Sequence, residues 1–254
     1  MIYIDPVNES ESTVTAPLWD YLGLETDTGE ANMALDRLLL SELQTGKRRR
    51  PVLRFYRWAK PTVSLGANQT AGEVVVMSEV RRLGYDLVKR PTGGRALLHK
   101  GDICYAIAAH RIHHPCFQSL TSTYRAIGTV IAGTLRSLGV DLTNLPVAGT
   151  ESRHGSNPCF AVLSPFEVTV GGKKICGSAQ YRSGGFFLQH GSLLVRDDWD
   201  SNDLMSIWPV GYALDGSRIT CVDRERREIT DFSGIERQFV ESFTCHLGTT
   251  IIGI

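Results

Sequence analysis

The sequence lacks the long apolar runs, the charge imbalance and the paired cysteines that mark several classes of protein. No stretch of about 18 apolar residues occurs, so no membrane-spanning helix is expected. Lysine plus arginine and aspartate plus glutamate each number 27, so the overall charge does not indicate binding to nucleic acid or membranes. Six cysteines are scattered without a Cys-x-x-Cys pair, which argues against a zinc ribbon or a disulfide scaffold.

Reduced, scattered cysteines fit a cytoplasmic protein best. The N-terminus has no basic segment before an apolar one, so it is not expected to be a signal peptide. Residues 1–17 are polar and are predicted to form a mobile extension. Residues 18–254 are predicted to form a single domain, because the hydrophobic fraction of 42% is ordinary for a globular protein of 254 residues. We expect a monomer.

The stretch from residue 156 to residue 195 carries the densest set of informative residues. Three strands are predicted there, at 163–170, 174–181 and 186–195, because Gly171-Gly172 and 183–185 are strong turn signals. Gly177, Ser178 and Ala179 are too small to fill a core well, but they suit a strand against which a ligand lies.

Two residues in this stretch are candidates for chemistry. Cys159 follows Ser-Asn-Pro and is therefore expected in a loop. A loop cysteine beside a cation can ionise and act as a nucleophile, and the hairpin is able to bring Lys174 back toward it. Lys174 is predicted at a ligand-facing position outside the core, and alternation places Cys176, two residues on, on the same face of the strand. The alternative is that Cys159 is a buried thiol that acts as a small apolar residue.

Periodicity elsewhere predicts alternating helices and strands. The predicted helices span 29–43, 73–83, 121–138 and 231–247, and the predicted strands span 18–25, 52–56, 62–65, 86–89, 96–99 and 103–109. The loop from Arg90 to Arg95 combines two basic side chains, a hydroxyl and Gly93-Gly94. A Gly-Gly step lets backbone N–H groups approach an anion or a carbonyl, although Thr-Gly-Gly alone is a common turn.

Two charged or polar clusters have less specific patterns. The basic run Lys47–Arg50 is typical of a solvated loop, and docking of an acidic partner is the functional alternative. The segment from His110 to Cys116 contains three histidines and a cysteine. No second ligand pair at a matching spacing accompanies it, so we expect no metal site.

Several motifs occur in one order that resembles the catalytic domain of the biotin/lipoate protein ligase family, over residues 18–247. These motifs are Asn32-Met-Ala-Leu-Asp36, Phe55-Tyr-Arg-Trp58, Arg90-Pro-Thr-Gly-Gly-Arg95, His99, Lys174 within Gly-Lys-Lys-Ile-Cys-Gly-Ser-Ala-Gln, and Leu188-Gln-His-Gly-Ser192. The resemblance implies an α+β fold, with a mixed, mostly antiparallel β-sheet flanked by helices, like the class II tRNA synthetase and biotin ligase cores.

Within that family the sequence looks most like the octanoyltransferase branch. Arg95 stands where ATP-dependent ligases usually have a third glycine, and Cys159 matches the acyl-thioester cysteine of that branch. Lys174 matches the family lysine that favours ionisation of this cysteine. Lys100 departs from the usual acidic residue after His99, and Cys176 departs from a usually small, non-thiol position.

The resemblance therefore implies Cys159 and Lys174 as catalytic residues and a larger set that binds the substrates. The predicted substrate-binding residues are Arg90, Thr92, Gly93, Gly94, Arg95, His99, Gly177, Ser178, Ala179, Gln180, His190 and Gly191. No metal ligand is predicted.

The implied reaction moves octanoate from octanoyl-acyl carrier protein to a lysine of a lipoyl domain, through a thioester on Cys159. The lipoyl domain would belong to a protein such as the glycine cleavage H protein or a 2-oxoacid dehydrogenase E2 subunit. Neither a cofactor nor a nucleic-acid or membrane partner is expected. Two alternatives stay open: an ATP- and magnesium-dependent lipoate ligase that forms a lipoyl-adenylate, and a scaffold that only binds the carrier domain.

Overall fold

The computed structural model describes residues 16–142, 168–200, 205–210 and 216–253. Helices and strands are numbered here in chain order. They are β1 (Leu18–Asp27), α1 (Gly29–Gln44), β2 (Val52–Trp58), β3 (Thr62–Leu65), α2 (Ala71–Val74), α3 (Met77–Arg82), β4 (Asp86–Lys89), β5 (Leu97–His99), β6 (Asp102–His110), α4 (Leu120–Ser137), β7 (Val168–Val170), β8 (Lys173–Ser183), β9 (Phe186–Leu194), α5 (Val222–Arg226), α6 (Phe232–Leu247) and β10 (Thr250–Gly253). Short 3₁₀ turns lie at Arg111–His113, Pro115–Phe117 and Gly216–Arg218.

The main sheet of the described residues has seven strands in the order β10-β1-β2-β6-β9-β8-β7. Strand β1 pairs in parallel with β10 and β2. The other neighbours in this sheet, β2-β6, β6-β9, β9-β8 and β8-β7, are antiparallel. Three shorter strands form a second sheet in the order β4-β3-β5. The predicted α+β fold, with a mixed, mostly antiparallel sheet flanked by helices, is confirmed.

One face of the main sheet is covered by α4 and α6. Trp19 of β1 meets Phe243 of α6 edge to face, with 4.9 Å between the ring centroids, and neither side chain is exposed to solvent. Complete burial of such a ring contributes about 1.5–3 kcal/mol. The apolar stripe predicted on the 121–138 helix forms this core, since Ile127, Ile131 and Leu135 are buried.

The opposite face of the main sheet packs against α1. Thr28 caps this helix by accepting a hydrogen bond from the backbone N–H of Ala31 at 3.2 Å. Met33 and Leu40 are buried on α1 and belong to one core cluster with Leu188 of β9. The small sheet has its own apolar cluster, which includes Val63, Leu98 and Leu194. The polar residues of the candidate site lie on the α1 face of the main sheet.

Strand β8 contains one extra residue where it pairs with β7. Val168 lies opposite Cys176 and Thr169 lies opposite Lys174, so Ile175 has no partner of its own. Such a β-bulge interrupts the alternation of side chains between the two faces. Val168, Ile175 and Cys176 accordingly all belong to the core beneath α4 and α6, and Lys174 lies on the other face. The prediction that Lys174 and Cys176 share a face is therefore wrong.

Two local predictions also need correction. The helix predicted at 73–83 is two short helices, α2 and α3, because Val75 between them is extended (φ −139°, ψ 149°). Three consecutive β-branched valines, 74–76, disfavour a continuous helix at this point. Strand β10 was not predicted, since it is a four-residue edge strand without a distinctive pattern. Residues 163–167 of the predicted strand before Gly171 lie outside the described residues.

Among the described residues, the structure contains no helix with both the length and the apolar character needed to cross a lipid bilayer.

We predict opposite effects from alanine at two glycines of α4. A Cβ atom at Gly133 would lie 2.4 Å from Oγ of Ser242 and 2.8 Å from Cε1 of His246, whereas nothing lies within 4 Å at Gly128. Gly133→Ala should lower the free energy of unfolding by about 1–3 kcal/mol through overpacking. Gly128→Ala should raise it by about 0.5–1 kcal/mol, because alanine restricts the unfolded chain. Denaturant titration measures both, and a stabilising Gly133→Ala would contradict the close packing of α4 on α6.

Candidate active site

A chain of buried hydrogen bonds crosses the α1 face of the main sheet. Oγ1 of Thr92 lies 2.6 Å from Nε2 of His190, and Nδ1 of His190 lies 3.0 Å from Oδ2 of Asp36. The other carboxylate oxygen of Asp36 accepts from Nη1 of Arg54 at 3.0 Å. The exposed fractions of Thr92, His190, Asp36 and Arg54 are 0%, 4%, 0% and 2%. These contacts join α1, β2, β9 and the loop after β4.

The helical spacing of α1 explains how polar groups reach this interior position. Asn32 and Asp36 are four residues apart and therefore lie on the same side of the helix. Oδ1 of Asn32 accepts from Nη2 of Arg54 at 2.7 Å, and its Nδ2 donates to the backbone oxygen of Arg57 at 3.0 Å. Arg54 thus has a fixed orientation, and it also lies over the ring of Tyr56 at 4.3 Å. The buried guanidinium therefore has hydrogen-bond acceptors on α1 and an aromatic ring on β2 as its partners.

The protonation state of His190 follows from its surroundings. Burial lowers the pKa of His190, and the charges of Arg90 and His99 act in the same direction, although the hydrogen bond and charge of Asp36 oppose them. The neutral ring donates through Nδ1 to Asp36 and accepts at Nε2 from the hydroxyl of Thr92. The predicted substrate-binding residue Thr92 therefore uses its hydroxyl inside the protein.

A second histidine–aspartate pair lies nearby on the same face. Nδ1 of His99 is 2.6 Å from Oδ2 of Asp102, and Oγ of Ser192 donates to the same oxygen at 2.6 Å. The ring of His99 stacks on Trp58 with 4.3 Å between centroids. Burial acts to raise the pKa of Asp102, but the charge and hydrogen bond of His99 and the bond from Ser192 outweigh it, so the pKa is lowered.

Cys104 completes this second cluster. Its Sγ lies 3.4 Å from Oδ2 of Asp102 and accepts from Nε1 of Trp58 at 3.3 Å. Burial and the Asp102 carboxylate raise the pKa of the Cys104 thiol well above its usual range, so it is no candidate nucleophile. Within the described part of the chain, His99, Asp102 and Cys104 are the group whose side-chain geometry approaches that of a metal site, with ligand atoms within 4.8 Å of one another. Their direct hydrogen bonds to one another explain the arrangement without an ion.

Arg90 braces the glycine loop from inside. Its Nη1 donates to the backbone oxygen and to Oγ of Ser64, both at 2.7 Å. Its Nη2 donates to the carbonyls of Gly93 at 3.2 Å and Arg95 at 2.9 Å. With an exposed fraction of 7%, the guanidinium of this predicted substrate-binding residue orders the loop.

The glycine loop lies over strand β8. Gly94 has φ +93°, and a Cβ atom built on it would be 3.9 Å from Cβ of Ala179. The loop also packs directly against Gly66, because a Cβ atom there would lie 2.0 Å from the carbonyl oxygen of Gly94. Gly94 is exposed, while Gly93, Arg95 and Ala179 are half-buried. The junction between this loop and β8 is therefore partly open to solvent, and this junction is called the cleft below.

The main sheet divides the predicted binding residues between its two faces. Gly177 and Ala179 lie opposite Ser192 and His190, so they share the face that carries the cleft. Oγ of Ser178 instead bonds the hydroxyl of Tyr105 at 2.7 Å in the helical core. Gly191 also serves that core, because a Cβ there would lie 2.4 Å from the ring of Tyr105.

The side chain of Gln180, like that of Ser178, lies on the sheet face covered by α4 and α6. Its Nε2 donates to Oε1 of Gln189 at 2.7 Å, and its Oε1 accepts from Nη1 of Arg182 at 3.0 Å. The side chains of Ser178 and Gln180 therefore lie on the face away from the cleft, and Gly191 contacts the helical core. Their backbone groups are part of β8 and β9 beside the cleft.

Lys174 has an exposed fraction of 0%, which contradicts the prediction that it would lie outside the core. The β-bulge turns it to the cleft face, and its backbone forms a bridge with Ile219. Its carbonyl accepts from the N–H of Thr220 at 3.0 Å. Segment 219–220 therefore pairs with the edge of β8 at this point. Cys159 lies outside the described residues, so its predicted role as nucleophile stays a prediction.

Sequence reasoning missed Asp36, Arg54, Asp102 and Ser192 as members of the site. A signal was present for Asp36, because a carboxylate at helical spacing within the apolar stripe of α1 has to find a buried partner. The other three residues alternate with apolar neighbours on their strands, and their convergence requires the strand order of the sheet.

Comparison with known proteins identifies the family. Residues 28–243 match the model of the lipoyl protein ligase A/B catalytic domain. The chain belongs to this family. The resemblance to the biotin/lipoate protein ligase family seen in the sequence is confirmed.

Two similar curated members of the family are each named octanoyltransferase LipM. The one from Carboxydothermus hydrogenoformans is 38% identical over 182 residues, which cover 72% of this chain and 66% of that protein. The one from Kyrpidia tusciae is 34% identical over 244 residues, which cover 90% of this chain and 87% of that protein. For some of its relatives, the chain thus matches about two thirds of their length.

Solved structures share the fold. Lipoate-protein ligase A bound with ATP superposes with a TM-score of 0.70 at 22% identity, covering 94% of this chain and 89% of that one. A bi-partite lipoate protein ligase from Thermoplasma acidophilum gives a TM-score of 0.67 at 22% identity, covering 94% and 88%.

We predict that Asp36→Asn lowers the free energy of unfolding by about 3–5 kcal/mol, because it leaves the buried guanidinium of Arg54 without its counter-ion. The double variant Asp36→Asn/Arg54→Met should recover part of this loss, since it removes the uncompensated charge. Denaturant titration of the wild type and the variants checks both statements. A loss of less than about 1 kcal/mol, the usual range of an exposed pair, would contradict a buried ion pair.

The free energy of unfolding should fall as the pH drops below about 6.5, the usual pKa of histidine. Burial lowers the pKa of His190, His113 and His114 in the folded protein. The unfolded chain therefore binds more protons in this range, which favours unfolding. Urea titrations from about pH 8 to about pH 5 should show this decline, and His190→Gln should reduce its slope. Increasing stability on acidification would contradict these directions.

Proposed function

We propose that the chain is an octanoyltransferase of protein lipoylation. The observation that carries the proposal is the identity of 34% to a curated octanoyltransferase LipM, along 90% of this chain. The cleft between the glycine loop and β8, with the buried Lys174 on the same face of the sheet, supports it. Residues 18–254 then form one catalytic domain, and the cytoplasm is the compartment proposed for it.

In the proposed reaction, the thiolate of Cys159 attacks the thioester carbonyl of octanoyl-acyl carrier protein. The carbon–sulfur bond to the carrier breaks, and the carrier leaves as a thiol after taking up the proton that Cys159 lost on ionisation. The amine of a carrier-domain lysine then attacks the octanoyl thioester on Cys159, forms an amide and releases the Cys159 thiol. The proton that the attacking amine loses protonates this departing sulfur, so the enzyme returns to its initial state.

Lys174 is the cation proposed to assist both steps. An ammonium group close to a thiol favours the thiolate, which is the nucleophilic form. The same charge stabilises the oxyanion that develops on the thioester carbonyl. Burial of Lys174 supports the role, because electrostatic interactions are stronger where water is excluded. Backbone N–H groups near Gly177 and Ser178 are the further donors in this proposal.

Small residues on both sides of the cleft suit an unbranched acyl chain. Gly93 and Gly94 lie on one side, and Gly177 and Ala179 lie on the other. Burial of six or seven methylene groups contributes roughly 5 kcal/mol to binding. A larger side chain at these positions would occupy the volume that the chain requires.

The proposed partners are octanoyl-acyl carrier protein as donor and, as acceptor, a lipoyl domain such as that of the glycine cleavage H protein or a 2-oxoacid dehydrogenase E2 subunit. The transfer consumes neither ATP nor a metal, in contrast to the ligase alternative. Arg90 argues against that alternative, because its Nη1 and Nη2 donate to Ser64, Gly93 and Arg95. These interactions occupy the donors that an adenylate phosphate would need.

We predict that Lys174→Met abolishes most transfer while the protein stays folded. Methionine keeps an unbranched side chain in the buried position but removes the positive charge. Lys174→Ala should also lose activity, and it should lower the free energy of unfolding by about 2–5 kcal/mol through the cavity it leaves. Transfer rates and denaturant titration separate the two effects. Normal transfer by Lys174→Met would show that the charge is dispensable.

The two cysteines near the predicted hairpin should behave differently when each is replaced by serine. Cys159→Ser should lose transfer in the absence of ATP, because a hydroxyl ionises far less readily than a thiol. Cys176→Ser should keep transfer, since Cys176 is 1% exposed and lies in the core beneath α4 and α6. The measurement is octanoylation of the carrier domain. An inactive Cys176→Ser beside a normal Cys159→Ser would reverse the assignment, and transfer only with ATP would favour the ligase.

A further inference from the structure

The charge of the chain is unevenly distributed, although the total is neutral. Residues 103–140 and 168–195 contain no aspartate or glutamate, yet they contain six arginine or lysine residues. The remainder of the chain is therefore net acidic. An acid-free stretch of this kind on two separate segments creates a positive local field if the segments are close in space.

The two acid-free segments meet at one end of the main sheet. The N–H of Arg111 donates to the carbonyl of Gly185, in the β8–β9 turn, at 2.8 Å. The guanidinium of Arg182 donates to the carbonyls of Ser119 at 3.2 Å and Phe117 at 2.6 Å. The hairpin end of β8 and β9 thus packs against the turns that precede α4 and against its first residues.

Exposed cations and apolar side chains occur together at this end. Ile112 is 75% exposed and Leu120 is 45% exposed, and the side chains of Arg111 and Arg125 are also exposed. The backbone of Arg49 lies near the side chain of His113 and partly opposes the lowering of its pKa by burial, so this arginine lies beside the same turn. We call Arg49, Arg111, Ile112, Leu120 and Arg125 the basic–apolar surface.

Arg49 comes from the basic run for which the sequence left two interpretations. Arg48 and Arg50 form ion pairs with Asp20, and Lys47 pairs with Glu42. These three residues stabilise the loop between α1 and β2. Arg49 is the member of the run for which the described residues supply no acidic partner, and it adds its charge to the basic–apolar surface.

Two further features strengthen the positive field there. Burial lowers the pKa of Arg182, and the charge of Arg111 acts in the same direction, so at least two cations lie close together. The N-terminus of the 18-residue helix α4 also carries a partial positive charge. A protein partner of opposite sign would neutralise charges that repel one another in the free enzyme.

We propose that the basic–apolar surface docks the acyl-donating carrier, an acidic carrier domain that holds its acyl chain on a long, phosphate-bearing arm. This inference rests on the proposed function. Arginine suits the carboxylates of the carrier and the phosphate of its arm, and Ile112 and Leu120 supply an apolar contact. Charge complementarity of this kind accelerates association and selects the partner.

The distance from the cleft favours the donor over the acceptor. Ala179 borders the cleft, and Ser183 at the hairpin end lies four residues farther along β8, which corresponds to about 13 Å at 3.3 Å per residue. A donor on a long arm reaches the cleft from this surface. The lysine of an acceptor domain has only a four-carbon stem, so that domain has to dock directly over the cleft.

The test compares the double variant Arg111→Glu/Arg125→Glu with Arg81→Glu, which changes one exposed arginine on α3 as a charge control. The probes are octanoyl-carrier protein and octanoyl-pantetheine, a small thioester without the carrier domain. The double variant should raise KM for octanoyl-carrier protein by about tenfold or more, since electrostatic steering contributes factors of 10–10³ to association. Its kcat, its reaction with octanoyl-pantetheine and its KM for the lipoyl domain should stay unchanged, as should every parameter of Arg81→Glu.

Three results would overturn the docking surface: an unchanged KM for the carrier in the double variant, an equal effect in Arg81→Glu, or a rise in KM for the lipoyl domain instead. The last would assign the surface to the acceptor. A wild-type enzyme that used octanoyl-pantetheine but not octanoyl-carrier protein would overturn the proposed donor itself. Thermal denaturation of the variants confirms that each one is folded.

Discussion

The buried ion pair between Asp36 and Arg54 is the interaction on which the candidate site depends. Asp36 is fully buried and accepts from Arg54 at 3.0 Å and from His190 at 3.0 Å. Removing either charge would leave the other uncompensated in a region of low dielectric. The pair therefore fixes α1 against β2, and through His190 and Thr92 it also fixes the start of the glycine loop.

The cleft beside this ion pair is positioned by the backbone of the glycine loop on one side and of β8 on the other. Arg90 donates hydrogen bonds to the carbonyls of Gly93 and Arg95. Gly66 has no side chain, which lets the carbonyl of Gly94 pack directly against it. On the other side, the extra residue Ile175 turns Lys174 to the cleft while Cys176 stays in the helical core. The buried charges of Asp36, Arg54 and Arg90 thus position the site, and Gly93, Gly94 and Ala179 border the cleft.

The motifs of the sequence were sufficient for the family and, through that resemblance, for the α+β class. Alternation and helical spacing are local signals, and they predicted most of the strands and helices. It was insufficient where the answer depends on pairing. The burial of Lys174 depends on a bulge of one residue. Whether Ser178 or Ala179 faces the cleft depends on which face of β8 meets Tyr105. Asp102 and Ser192 come together only because β6 and β9 are neighbours. The predicted roles of Cys159 and of the residues that bind substrate stay predictions.

The most direct test of the account is the intact mass of the protein after incubation with octanoyl-acyl carrier protein in the absence of ATP. The account predicts a gain of one octanoyl group that is removed by hydroxylamine, that maps to Cys159 after proteolysis, and that is lost on addition of a lipoyl domain. An unmodified protein that nevertheless octanoylates the lipoyl domain, or an octanoyl group on another residue, would contradict it.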